Sequence, residues 1–281
     1  MILIIFFIYL LYKCYIYKSK KGKQITSVLI TGATDGIGKS YVEYFSRIKG
    51  VKIYATGRSL EKLQELQEYN KDINIILCDY NNFSLINFYP IKEEIDTIIN
   101  CAGISYDGAM KSENCDNELT TTLINVNCIS PTKLINFFLS SKKIHTILLI
   151  GSANGIIPMG APFYSIYAGT KAYIDQYTKS ISSEYKNVNI QVHHPYLVST
   201  KMSKIKKSSY FIPSPKEYVI SSMKNLMEFN KYNVSKITYF PHKIQNFILN
   251  YLPIVLSEKI IYNNNSALEK KYRAIKSSTP I

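Results

Sequence analysis

From residue 25 onward, short continuous apolar runs alternate with longer stretches whose apolar positions recur every three or four residues. ITSVLIT (25–31), VKIYAT (51–56), INIILC (73–78), IDTIIN (95–100), HTILLI (145–150) and VNIQVHH (188–194) have strand length and β-rich composition. Between them, GKSYVEYFSRIK (38–49), LEKLQELQEY (60–69) and the stretches around 117–142 and 164–186 carry helical patterns. Strands spaced by helices predict a parallel sheet covered on both faces. The unbroken apolar character of the strands agrees, since both sides of each would be buried. The expected fold is therefore α/β, a single doubly wound sheet of the Rossmann type over residues 25–281.

Beyond residue 194 the alternation weakens. Residues 203–215 read as a loop or short helical flap punctuated by prolines, followed by a helix near 215–229 and a brief strand KITYF. Ile244, Phe247, Ile248, Tyr251 and Leu252 fall at i, i+3, i+4, i+7 and i+8, an apolar helical stripe that Pro253 interrupts. It would pack on the domain, rest in a membrane interface, or help line a lipid site. The C-terminal helices from about residue 203 are expected near the substrate and the membrane.

At the other end, MILIIFFIYLLYKCYIY (1–17) is apolar except for Lys13 and Cys14, and the basic linker 18–24 follows. As a helix it would span about 26 Å, close to a hydrocarbon core of about 30 Å. No basic region precedes it and no small-residue cleavage site follows, so it reads as an uncleaved anchor. Lysines follow it and none precedes it, which places the main domain in the cytosol.

Composition changes this picture only in part. The 281 residues are 46% hydrophobic, enough for a sizeable core, and carry a net charge of +14. That charge admits an anionic membrane surface or anionic ligands, or a lysine-rich solvated surface. No arginine-rich helix or aromatic-interleaved basic ribbon points to nucleic acid. The five cysteines show no C-x-x-C spacing, so neither a metal site nor a disulfide framework follows.

Two stretches carry chemistry. In TGATDGIG, a strand runs into Gly32, Gly36 and Gly38 and a helix begins at once. Such a turn lets the backbone approach a pyrophosphate, whose charge then sits at the helix N-terminus. The second strand ends YATGRS, with Arg58 and no carboxylate at its tip, which favours a 2′-phosphorylated cofactor, NADP(H). Asp79 would accept from the adenine amino group or cap a turn, and Asn100 to Gly103 (NCAG) close the fourth strand under the cofactor. The second stretch is YSIYAGTK. Tyr-x-x-x-Lys occurs six times in this tyrosine-rich chain, but only Tyr167 and Lys171 begin a predicted helix after the fifth strand, at loop distance from Ser152.

TGATDGIG, NCAG, the Ser152 segment, YAGTK and PYLVSTK stand in the order of a short-chain dehydrogenase/reductase, and the chain resembles that family from about residue 25 to 275. INVNCIS, PYLVSTKM and NYLPIVLSEKI resemble its membrane-bound very-long-chain 3-oxoacyl-CoA reductases and 17-beta-hydroxysteroid dehydrogenases. The resemblance implies a cofactor site of Gly32, Asp35, Gly36, Ile37, Gly38, Arg58, Asp79, Asn100, Ala102, Gly103, Tyr167, Lys171, Pro195, Val198 and Thr200. It implies a catalytic set of Asn127, Ser152, Tyr167 and Lys171, with Asn125 a competitor for the asparagine.

Tyr167 would protonate a carbonyl oxygen, with the neighbouring ammonium lowering its pKa, and Ser152 would donate a hydrogen bond to the same oxygen. Three departures stand out. The interval from Ser152 to Tyr167 is about two residues longer than usual, leaving room for a bulged loop at PMGAPF; Cys101 replaces the more usual asparagine in NCAG; and Gly151 stands where relatives often carry a second serine. The expected activity is NADPH-dependent reduction of a 3-oxoacyl-CoA in fatty-acid elongation, at the endoplasmic reticulum membrane. A steroid dehydrogenase and an inactive nucleotide-binding scaffold remain as alternatives. Lys201, Lys204, Lys206 and Lys207 would meet the anionic CoA or form a solvated loop. Other elongation enzymes or a second copy of the chain are open as partners.

Overall fold

The computed structural model describes residues 20–230 and 232–278. The predicted anchor, residues 1–17, lies outside them. Seven parallel strands form the central sheet: β1 (Ser27–Thr31), β2 (Lys52–Gly57), β3 (Ile73–Leu77), β4 (Thr97–Asn100), β5 (Thr146–Ile150), β6 (Asn189–His193) and β7 (Ser235–Lys236). Their order across the sheet is 3-2-1-4-5-6-7. The chain thus builds outward from β1 to one edge, then crosses back to start again on its other side. The crevice at such a reversal, beyond the carboxyl ends of the strands, is where open α/β sheets bind ligands.

Period-two alternation within each strand feeds two cores. Val28, Ile30, Ile99, Leu148 and Ile150 face one side, where α1 (Gly36–Phe45), α2 (Leu60–Tyr69) and α6 (Pro215–Leu226) supply Tyr41, Phe45, Leu63, Leu66, Met223 and Leu226. Leu29, Ile98, Ile147 and Leu149 face the other, against Leu134, Ile135 and Phe138 of α4 (Ser130–Leu139) and Ile174 and Ile181 of α5 (Ser165–Glu184). The sheet is doubly wound, as the apolar runs predicted.

Three local differences bear on function. The helical stretch expected over 117–142 is two helices, α3 (Asn117–Ile124) and α4, joined by a π-turn over Asn125–Ile129. Of KITYF only Lys236 is in a strand, the two-residue β7, which pairs in parallel with β6. The stripe at 244–252 lies on α7 (Phe240–Tyr251) and the residue after it, but of that helix only Pro241 and His242 are buried; Ile244 and Leu252 are half-buried, and Phe247, Ile248 and Tyr251 are exposed. After Pro253 the chain continues as α8 (Ile254–Ser278), a long helix the sequence reading did not delimit. A short antiparallel pair joins Lys20–Lys21 to Glu228–Phe229.

Candidate active site

β1 delivers Gly32 with φ +61°, where a β-carbon would lie 2.9 Å from the Ala102 backbone. Only glycine allows the turn after β1 and the turn after β4 to come this close. A β-carbon on Gly38 would sit 2.1 Å from the Gly32 carbonyl oxygen, so α1 starts hard against the turn. Thr31 ties the two turns together: its hydroxyl donates to Asn100 Oδ1 (2.9 Å) and accepts from the Ala102 N–H (2.9 Å). Asp35 caps α1, accepting from the Gly36 N–H at 2.8 Å, and its other oxygen lies 3.1 Å from Lys201 Nζ. Ile37 is in the first turn, whose N–H groups form a ready anion site.

Thr200 leans over this turn, its Cγ2 3.2 Å from where a Gly36 β-carbon would be. Between them opens a cleft of about 720 Å³, lined also by Lys39, Lys201, Lys204 and Lys206. Arg58 stands exposed just past the end of β2, with no ion pair among the described residues. Asp79 is exposed and accepts from the Asn81 N–H at 2.9 Å, closing a local turn. Pro195 receives the Ala153 N–H at 2.9 Å, and Val198 is buried behind it. The narrow cradle, the helix start beside it and the basic rim fit a dinucleotide with an extra phosphate.

The chemical groups converge beyond β5. Ser152 follows Gly151 in extended conformation and opens a single helical turn, its hydroxyl accepting from the Asn154 N–H. Tyr167 and Lys171 lie one turn apart at the start of α5, sharing a face. Lys171 is buried; its Nζ donates to the Ile150 carbonyl at 3.0 Å and lies 5.9 Å from the Tyr167 ring centroid. A β-carbon on Gly103 would sit 3.3 Å from that Nζ and 3.2 Å from Asn127 Oδ1, so the NCAG turn, Asn127 and Lys171 close on one another.

The π-turn sends the two asparagines in different directions. It turns Asn127 inward, where Oδ1 accepts from the Ile104 N–H and Nδ2 donates to the Ile104 carbonyl, both at 2.9 Å. A further bond joins Nδ2 to Thr170 Oγ1 at 3.0 Å. Asn125 points elsewhere and donates to Asn81. π-Turns of this kind recur at functional sites.

The electrostatics depart from expectation in one respect. Burial raises the Tyr167 phenol above its ordinary value, the Ser152 hydroxyl opposing it only in part. The Lys171 ammonium, turned to the Ile150 carbonyl, does not reverse this. Burial pulls Lys171 down to about 8, with the thiols of Cys128 and Cys101 opposing. The phenol is therefore held protonated at neutral pH, as a proton donor must be, and the lysine is the member of the pair that titrates nearest neutrality.

Residues the sequence reading passed over complete the surroundings. His194 is fully buried behind the serine: Nδ1 donates to the Ser152 carbonyl (3.1 Å), and Nε2 lies 2.9 Å from Asp175 Oδ1. Burial would raise Asp175, but hydrogen bonds from His194, Lys179 and Ser235 outweigh it and hold the carboxyl below the usual range. Tyr164 stacks on Tyr106 at 5.7 Å and meets Tyr167 edge-on at 6.5 Å, forming an aromatic wall.

The lengthened loop before Tyr164 is bulged, with Gly160 at φ +77° and Phe163 at φ +65°. α8 crosses it: Asn265 donates to the Pro162 carbonyl at 2.8 Å, and Tyr262 packs on Phe163. Further along, Tyr272 covers Gly108, and Lys204 lies over its ring while pairing with Asp107. Lys201 and Lys204 are thus engaged, whereas Lys206 and Lys207 are exposed with no ion pair among the described residues.

Comparison with known proteins gives the same answer by another route. Residues 26–210 match the short chain dehydrogenase family. A very-long-chain 3-oxoacyl-CoA reductase of Danio rerio is 33% identical over 264 residues, spanning 87% of this chain and 79% of that protein. The rat very-long-chain 3-oxoacyl-CoA reductase is 32% identical over 263 residues, 87% of this chain and 81% of that one. Among solved structures, a 7beta-hydroxysteroid dehydrogenase superposes with a TM-score of 0.69 at 19% identity, covering 87% of this chain and 97% of its own. A short-chain dehydrogenase from Sphingobium yanoikuyae, in complex with NADPH, gives 0.63 at 21% identity, covering 82% and 96%. At these identities the structural likeness speaks to the fold.

Proposed function

The chain belongs to the short-chain dehydrogenase family and is an oxidoreductase, and on that premise we propose that it reduces a very-long-chain 3-oxoacyl-CoA to the 3-hydroxyacyl-CoA with NADPH. The reading is carried by one observation, the meeting of Ser152, Tyr167 and Lys171 beyond β5, against the NCAG turn that backs the glycine cradle. The names of the relatives support the substrate class, and Arg58 supports the phosphorylated cofactor.

When bound, the nicotinamide supplies a hydride to the substrate carbonyl carbon. Tyr167 gives its phenolic proton to the carbonyl oxygen, and its raised pKa keeps that proton in place until charge develops there. Ser152 donates a hydrogen bond to the same oxygen. Lys171 would hold the cofactor ribose and return a proton to Tyr167, while Asn127 fixes the Ile104 segment beside it. Lys206 and Lys207 offer free cations to the CoA phosphates. Residues 1–17 would anchor the enzyme in the endoplasmic reticulum membrane, where fatty-acid elongation supplies the ketone.

The test is NADPH oxidation by the full chain with long-chain 3-oxoacyl-CoAs and 3- and 17-oxosteroids, beside Tyr167→Phe. Turnover of the acyl-CoAs is expected, with Tyr167→Phe lowering kcat by roughly 10²–10⁴-fold while NADPH still binds. Turnover of steroids alone would overturn the substrate assignment, and full activity in the variant would overturn the mechanism. NADPH binding without any turnover would leave a scaffold.

A further inference from the structure

We propose that the corner where α7 turns into α8 is a lipid-facing surface, seated in the interfacial layer of the bilayer that residues 1–17 are suited to enter. The proposal rests on the anchor reading of those residues and adds a second contact with the same membrane.

Among the described residues, Phe247, Ile248 and Tyr251 of the apolar stripe that the helical periodicity marks out are exposed, while Ile244 and Leu252 are half-buried. Phe247 is 60% exposed, Tyr251 76% and Val255 69%, and Ile248, Ile254 and Leu256 are exposed beside them. The Phe247 and Tyr251 rings lie 4.3 Å apart, packed on each other rather than on the domain. Six large apolar side chains straddling one turn are more than scattered surface residues, and such patches mark contact surfaces. Charge selects the occupant. From Phe229 to Ser257 the sequence holds Lys231, Lys236 and Lys243 and no carboxylate; acids resume only at Glu258. An aromatic and aliphatic surface without carboxylates, with the exposed Lys243 lining the same groove as Phe247 and Tyr251, suits the anionic headgroup layer.

Position supports the same occupant. The described chain begins at Lys20–Lys21, paired to Glu228–Phe229, and the Gly22 N–H donates to the Met227 carbonyl at 2.8 Å. Lys236 Nζ donates to the Glu228 and Asn225 carbonyls. Lys236 and Asn225 then line a groove of about 410 Å³ whose other wall holds Phe247 and Tyr251. The start of the described chain is therefore linked, through Glu228 and Lys236, to the groove that Phe247 and Tyr251 line. Among the described residues no helix is long and apolar enough to cross a membrane, so the corner would lie on the bilayer rather than through it. From it α8 runs to Pro162 and Phe163 at the loop before Tyr164, one helix away from lipid.

The chain contains no tryptophan, so one introduced residue is a unique reporter. Tyr251→Trp in the full chain would be reconstituted into phosphatidylcholine–phosphatidylserine vesicles with and without brominated acyl chains. Tyr69→Trp, exposed at the end of α2 beside the opposite edge of the sheet, is the control. Flotation reports the anchor, and the tryptophan reports the corner. The expected result is flotation of both variants, with Tyr251→Trp emitting blue-shifted and quenched several-fold more by brominated lipid than Tyr69→Trp. Flotation with solvent-like emission from Tyr251→Trp would overturn this proposal and leave the anchor standing. A blue shift without brominated-lipid quenching would overturn it in favour of a protein cover, a second copy or residues 1–19. Failure to float would overturn both.

Discussion

A β-carbon on Gly151 would meet the His194 ring at 2.4 Å, so the small residue after β5 and the imidazole behind it are a matched pair. Gly151→Ala should cost about 1–3 kcal/mol by overpacking. Urea unfolding should show that Gly151→Ala and His194→Ala couple rather than add, since the second change empties the space the first one fills. Lys171 gives a pH-dependent prediction. Between about 8, its folded value, and 10.5, the unfolded chain binds a proton that the fold does not, so stability rises with pH through that window. Below it the fold carries the whole cost of the buried ammonium, roughly 3 kcal/mol. Lys171→Met should therefore gain most over the parent in urea unfolding at pH 7, gain less at pH 10, and lose reductase activity at both. Arg58→Ala should lower the preference for NADPH over NADH at least about tenfold in kcat/KM, the weight of one lost charge-assisted bond. Tyr167, Lys171, Ser152 and the glycines were readable because their spacing is local. His194 was not: its contacts with Ser152 and Asp175 span 42 and 19 positions, and only the fold brings them together.

The strands were legible because a strand buried on both faces is continuously apolar: five of the seven fell within the expected runs, and β2 overran its run only by Gly57. The π-turn between α3 and α4 was not. One extra residue in a helical ladder leaves no mark in a hydrophobic period, yet it turns Asn127 rather than Asn125 toward Lys171. Asn127→Ala would strip both the N–H and the carbonyl of Ile104 of their partners, at about 1–3 kcal/mol for each group left unsatisfied. A melting temperature lower by several degrees is expected, with faster amide exchange at Ile104. For α7 the period was right, but a stripe shows only that one face is apolar; that Phe247, Ile248 and Tyr251 stay exposed is set by the tertiary fold.

The order 3-2-1-4-5-6-7 could be expected from the glycine turn and the alternation of strands with helices. The course of α8 could not, because nothing in residues 254–278 names the loops it crosses. That crossing predicts a split between substrates: Asn265→Ala, freeing the Pro162 carbonyl, should raise KM for long acyl chains more than for a short ketone, with kcat little changed. The link between Thr31 and Ala102 has a consequence of another kind, for the time course of folding. It joins residues 71 positions apart, across the reversal in strand order. A chain emerging from the ribosome cannot build the nucleotide cradle from its first three strands, since the fourth must arrive and insert beside the first. Contacts of such sequence separation slow folding. A dinucleotide held between the two turns would bind the joined halves and not the separated ones, and so would slow their parting.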